Sequence, residues 1–373
     1  MSSNPSTVRI GIIGVGNCAR ALLEGISYYT VHPEDTTGLC HPAIGAYGPA
    51  DVVPVAAWDV DAEKVGRPLW DARAAGQNLD VGIPQDALKP IADGVTVSRA
   101  PALDGAGRKY RERITVAQPL GNWTPQEEAA RIRAEVRDAG VQVLVNYLPV
   151  GSQEATEWWA QVALDTGCAF VNNIPVFIAR NPEWRERFRE AGLPLIGDDI
   201  KSQLGATYVH RVLARAFSDR GITLTRTYQL NVGGNMDFYN MLEADRLATK
   251  RESKSGAVTD AYAGHLDPGN VHIGPSDYVA FLGDTKKAFI RCEGRGFAGA
   301  PIEMELQLTV PDSPNSAGIV IDAVRIAKTA LDREEPDVDA WASAWLFKAP
   351  PRPVAQESDM QARRNIDAWL DEV

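Results

Sequence analysis

Cysteine is scarce in this 373-residue chain, and no two of Cys18, Cys40, Cys168 and Cys292 stand in a C-x-x-C spacing. That argues against a disulfide scaffold or a zinc site and predicts reduced thiols in a cytoplasmic protein. Positive charge is also short: 38 Lys and Arg stand against 49 Asp and Glu, a net charge of −11. Such a balance predicts no nucleic-acid partner and no anionic membrane partner. No apolar run approaches bilayer-spanning length, and the opening MSSNPST has neither the charged nor the apolar region of a secretory signal. Internal repeats and low-complexity tracts are missing too. What remains is an acidic chain long enough for two domains and a large core. If it handles a phosphate, it must gather its positive charge locally.

The stretch 8–22 reads VRIGIIGVGNCARAL. A β-rich apolar run leads into G-x-G-x-x-A at Gly14, Gly16 and Ala19, and an amphipathic helix pattern follows. Gly14 would permit the tight turn, Gly16 the approach of a pyrophosphate, and Ala19 close packing of helix on strand. Asn17 and Cys18 fall at the helix N-terminus, where free N–H groups and the dipole favour phosphate. A second strand over 52–58 ends at Asp59, the place of the acid that bonds the ribose hydroxyls. No arginine follows immediately to receive a 2′-phosphate, so NAD is favoured over NADP.

Farther along, the pattern predicts a helix over 61–75, a short strand over 95–98, a helix over 125–139 and a buried strand over 141–147. It then predicts a helix over 154–165 and strands over 168–171 and 194–196. Strands alternating with helices imply α/β architecture, a Rossmann-type doubly wound parallel sheet with ligands at the strand C-termini. Those ends carry Gly14, Asp59, Asn146, Asn172 and Asp198. Past Lys201 the texture changes. Helix patterns cover 203–217 and 241–254, and strand-like alternation covers 223–232, 286–293 and 302–310, the last two read as antiparallel. This predicts a second α+β domain on an open sheet, followed by a long helix over 316–331 and a helical remainder.

Polar clusters in this second half are dense: GDDIKSQ at 197–203, NVGGNMDF at 231–238, TKRESKS at 249–255, GDTKK at 283–287 and FKAPP at 347–351. Lys250 and Lys254 would share one helical face with no acid between them, a mildly repulsive pair that suits an intervening anion.

These segments, with VGNCA (15–19), NYLPVGS (146–152), PVFIA (175–179), HIGPSDYV (272–279) and DSPNSAG (312–318), make the chain resemble the myo-inositol-1-phosphate synthase family in its short, prokaryotic-type form. The resemblance covers nearly the whole chain. It implies an NAD-dependent isomerase that oxidises C5 of D-glucose 6-phosphate, removes a C6 proton, closes the ring by an intramolecular aldol step and reduces C5 again. It implies active-site lysines at Lys250, Lys254, Lys286 and Lys348, with Lys201 a further candidate. The acid partner falls in Asp198 and Asp199, and the substrate loop carries Asn235 and Asp237. Asp312 matches a position associated with a monovalent or divalent cation near the nicotinamide. The domains implied are 1–201 with 312–373 for NAD, and 202–311 for catalysis and assembly into a homotetramer.

The sequence departs from the family pattern at Gly76-Gln77-Asn78-Leu79-Asp80, where an N-N-T-like run is usual, at Asn173, where a small residue is common, and at Thr249 and Glu252. The alternative reading is therefore a specialised homologue, such as one forming a five-membered cyclitol phosphate from fructose 6-phosphate for carbocyclic nucleosides. A non-catalytic NAD-binding relative would lack a family lysine, and none is lost. A plain dehydrogenase would release NADH.

Overall fold

The computed structural model describes residues 7–119, 121–243, 262, 266–351 and 359–372. Lys250 and Lys254 lie outside the described residues, as does most of the helix expected around them. Six strands form the first sheet: β1 (Val8–Ile13), β2 (Val52–Asp59), β3 (Val97–Arg99), β4 (Val143–Asn146), β5 (Ala169–Asn172) and β6 (Leu195–Gly197). All pair in parallel in the order β3-β2-β1-β4-β5-β6. The order reverses between β1 and β4, and at such a switch point the crevice for a ligand opens beyond the strand ends.

The helices, in chain order, are α1 (Asn17–Val31), the short α2 (Leu69–Ala72) and α3 (Arg108–Arg111), α4 (Pro125–Asp138), α5 (Gln153–Thr166), α6 (Pro182–Glu190), α7 (Ala206–Asp219), α8 (Met236–Asn240), α9 (Asp312–Arg333), α10 (Asp339–Leu346) and α11 (Asp359–Asp371). One face of the sheet is covered by α1 and α9, with Leu22, Leu23, Val320 and Val324 against Ile10 and Ile12. The other is covered by α4, α5 and α6, with Ile132, Trp159 and Phe188 against Leu144 and Phe170. A sheet covered on both faces needs apolar runs rather than alternation, and β4 and β5 are buried at every position.

The second sheet contains β7 (Thr223–Gly233), β8 (Val271–Tyr278), β9 (Thr285–Arg295) and β10 (Pro301–Pro311) in the order β10-β9-β7-β8. β9 runs antiparallel to both β7 and β10, while β8 is parallel to β7. Helix α7 covers one face with Ala214 and Phe217 against Leu224, Ile290 and Cys292. On the opposite face Leu230 and Phe289 stand in register, 42% and 37% exposed.

Three expectations need revision. The helix over 61–75 reduces to α2, because Gly66 takes a left-handed φ of 84° and Pro68 lacks an N–H, so the chain turns and bridges Thr96 instead. The third strand lies two residues later than expected at one end and one at the other. Strand β8 was not foreseen: Gly274 and Pro275 weaken its signal, and only an edge position tolerates them.

Candidate active site

One cleft runs from the glycine loop to the start of α9 and the segment after α10. At one end Gly14 has φ 88°, and a Cβ there would come within 2.9 Å of the Tyr147 carbonyl oxygen, so the fold itself requires glycine. Gly16 differs. A Cβ on it would meet nothing within 4 Å, so the loop keeps free space at the N-terminus of α1, as an approaching pyrophosphate needs. The Asp59 carboxylate accepts the N–H groups of Val15 at 2.7 Å, Val60 at 2.7 Å and Asp61 at 2.8 Å, tying the loop to β2 while facing the cleft. Lys64 stands 3.8 Å away and donates to Asn78, whose amide in turn holds the Val15 carbonyl. Asn78 therefore braces the loop in the segment that departs from the family pattern. These residues fit a dinucleotide.

At the other end two lysines sit on two aspartates. Lys348 donates to Asp199 at 2.8 Å, and its backbone N–H reaches the Asp199 carbonyl at 2.8 Å. Lys286 donates to Asp312 at 2.9 Å. Burial lowers the Lys286 pKa, but Asp312, with Asp237 and Asp199 beyond it, outweighs burial and raises it, so the ammonium form persists. The Asn235 amide donates to Asp312 at 3.2 Å and to Asp284 at 3.0 Å, while its carbonyl oxygen caps α8. Asp237 lies on the cleft wall in the first turn of α8.

Asp284, which the sequence does not single out, joins both ends. It accepts from Asn17 at 3.0 Å, from Asn235, and from the Ser313 hydroxyl at 2.8 Å and N–H at 3.0 Å. Its pKa is raised by burial and by Asp312, against those hydrogen bonds. Burial also pushes the Cys18 thiol far up, with Asp312, Asp284 and Asp237 adding to it, so Cys18 lines the cleft as a neutral thiol.

Several candidates point elsewhere. Asn146 donates to Asn172 at 2.9 Å, and Asn172 to Asp198 at 2.7 Å. Asp198 also accepts the N–H groups of Ala179 and Arg180. All three are fully buried and brace the strand ends from below. Burial lifts the Asp198 pKa to about 7 against those hydrogen bonds. Of the two adjacent acids, Asp199 is the one that faces the cleft. Ala19 is likewise fully buried and serves helix packing. Lys201 is turned away: its ammonium donates to the Ala344 carbonyl at 2.9 Å and pairs with Asp359, which Arg211 also holds at 2.9 Å. Burial lowers the Lys201 pKa to about 8 despite Asp359. At Asp312, where a cation is expected, Lys286 pairs with one carboxylate oxygen, and no group of three or more His, Cys, Asp or Glu side chains able to hold a metal occurs among the described residues.

Three polar side chains on the cleft wall have buried atoms without hydrogen-bond partners among the described residues: the Tyr147 hydroxyl, both amide atoms of Asn173 and the Ser316 hydroxyl. The sequence marks Asn173 only as a departure from the family pattern, and the burial of these atoms shows only in the folded chain.

Comparison with known proteins agrees with this geometry. A sequence profile described as myo-inositol-1-phosphate synthase matches residues 205–313. The chain is 49% identical to an inositol-3-phosphate synthase of Mycolicibacterium smegmatis over 377 aligned positions, covering 100% of both. Among solved structures, Ari2 superposes with a TM-score of 0.78 at 35% identity, covering 98% of this chain and 99% of that one. A myo-inositol-1-phosphate synthase-related protein from Thermotoga maritima superposes with a TM-score of 0.82 at 26% identity, covering 98% of each. With a relative this similar along the entire length of both chains, the protein belongs to the myo-inositol-1-phosphate synthase family.

Proposed function

We propose that the protein is an NAD-dependent sugar-phosphate cyclase that converts D-glucose 6-phosphate to 1D-myo-inositol 3-phosphate. The observation that carries this reading is the meeting, in one cleft, of a glycine loop with the Lys348–Asp199 and Lys286–Asp312 pairs. When bound, NAD would supply a hydride acceptor for C5 and return the hydride after ring closure. Gly14, Gly16, Asn17, Cys18 and Asp59 would hold it. Lys348, oriented by Asp199, would move the proton at the C5 oxygen and, with Lys250, serve C6 deprotonation. Lys286, fixed by Asp312, would set a permanent positive charge against a phosphate or enolate oxygen, a role the family resemblance also gives Lys254. Such charge, aimed where negative charge develops, is the largest lever available to this chemistry. Asn235 and Asp237 would contact substrate.

The same reading divides the chain into 1–201 with 312–373 and 202–311, and assembles it as a homotetramer through the bare face of the second sheet. A cytoplasmic location is supported by four free cysteines. The test is to incubate purified protein with NAD and either glucose 6-phosphate or fructose 6-phosphate, and to read the product ring by NMR. The expected result is a six-membered cyclitol phosphate from glucose 6-phosphate without net NADH absorbance. Accumulating NADH would instead mark a dehydrogenase.

A further inference from the structure

The Asn173 side chain is 4% exposed and lines the cleft, yet neither its amide nitrogen nor its amide oxygen has a hydrogen-bond partner among the described residues. A buried primary amide left wholly unpaired is costly, because water can no longer satisfy it. It cannot simply turn away with its backbone, which is pinned on both sides. The Asn173 N–H donates to the Asn146 carbonyl at 3.2 Å, and the Asn173 carbonyl accepts from Ile200 at 3.0 Å. The next residue, Ile174, accepts the Asp199 N–H at 3.1 Å, and Asp199 carries Lys348. Asn173 thus sits between the two ends of the cleft: its N–H is held by Asn146, which pairs with Ile13 just before the glycine loop, and its carbonyl and Ile174 lead to Asp199 and Lys348.

We propose that Asn173 is a specificity-determining residue whose carboxamide binds vicinal hydroxyls of the sugar phosphate. This rests on the sugar-phosphate reading of the cleft. The chemistry matches: the amide offers donors and an acceptor side by side, and neighbouring hydroxyls on a polyol offer the complement. The Tyr147 and Ser316 hydroxyls, which also line the cleft without partners among the described residues, suit the same kind of guest.

The experiment compares the whole wild-type protein with Asn173→Ala and Asn173→Asp. Three quantities are read: KM for glucose 6-phosphate at saturating NAD, NAD affinity by tryptophan fluorescence without sugar, and the melting temperature of the free protein. For Asn173→Ala, KM should rise about tenfold or more with NAD affinity unchanged. The free protein should melt no earlier than wild type, because no paired contact is lost. Asn173→Asp, which loses the donors and sets a negative charge near a phosphate dianion, should raise KM at least as far. An unchanged KM overturns the proposal, whether or not the melting temperature falls. A loss of NAD affinity equal to the rise in KM overturns it as well, assigning the amide to the dinucleotide. If wild type forms no product, the functional reading fails on its own. The rise in melting temperature induced by a panel of hexose phosphates then decides Asn173: its loss in Asn173→Ala upholds the contact, and its persistence refutes it.

Discussion

Lys201 and Lys348 carry the same charge and share a neighbourhood, but their surroundings assign them different work. Lys348 pairs with a carboxylate on the cleft wall, and its side chain keeps 15% exposure. Lys201 is 5% exposed and neutralises Asp359 together with Arg211. Lys348→Met should therefore lower turnover by about 100-fold or more while leaving the melting temperature nearly unchanged. Lys201→Met should do the reverse, costing on the order of 3 kcal/mol of stability by weakening a buried ion pair and sparing turnover in the fraction that stays folded. Thermal denaturation and steady-state kinetics on the two variants check both outcomes. Full folding with abolished turnover in the Lys201 variant would return that lysine to the mechanism. The family motifs nominate both lysines, and both Asp198 and Asp199. They could not say which members face the cleft, because Asp198 and Asp199 lie just past β6 in a bend where Asp199 takes a φ of 61°, so no strand alternation fixes their directions.

Among the elements, α9 does the most joining. Its N-terminus meets Asp284 at the cleft, and its middle buries a charged network. His41 lies 2.5 Å from Asp322 of α9 and 3.0 Å from Asp367 of α11, while Arg325 of α9 holds Asp322 at 2.6 Å and Arg363 of α11 lies nearby. Burial and Arg363 lower the His41 pKa, but the two carboxylates prevail and raise it above its usual value. A histidine raised on folding contributes stability fully below its unfolded pKa of about 6.5, and loses it as pH climbs through the folded value. Wild type should thus be more stable than His41→Gln near pH 6, with the difference shrinking toward pH 9, as denaturant midpoints across that range would show. A difference independent of pH would mean that the imidazole is neutral throughout. The network could not be read in advance: His41 sits in an irregular segment, and its partners are 281 and 326 residues away in sequence. Elements with strong local patterns were legible. Buried strands β4 and β5, the amphipathic helix that becomes α4 and the long amphipathic stripe of α9 all announce themselves. The 61–75 stretch misled because its helical spacing outweighed Gly66 and Pro68 in the reading but not in the fold.

At the scale of the molecule, the parallel sheet could be inferred from alternating strand and helix patterns, whereas the mixed pairing of the second sheet could not. The antiparallel pairing of β9 with β10 matches the alternation read over 286–293 and 302–310, but nothing in the sequence marks β8 as a strand or as parallel to β7. The exposed Leu230 and Phe289 on the face opposite α7 could not be read in advance either, since the same alternation serves a face left to solvent and one covered by another subunit. Phe289→Glu would place a charge beside Leu230 at the centre of that face. If the face is an interface, sedimentation should show the variant as a smaller species than wild type, with the far-ultraviolet spectrum preserved because α7 and its apolar contacts lie on the other side. An unchanged sedimentation coefficient would leave the sheet face to solvent.

The antiparallel bridge between Ile200 and Phe347, which carries Lys348 onto Asp199, spans a gap of 149 residues between the two paired side chains. During synthesis the strands that shape the dinucleotide loop all leave the ribosome well before the amine that would act beside it. A nascent chain can therefore complete its first six strands while still unable to move a proton at the bound sugar. On the proposed reading, catalytic competence would await Lys348, and any premature stop between Asp199 and Lys348 yields a polypeptide without one partner of this ion pair.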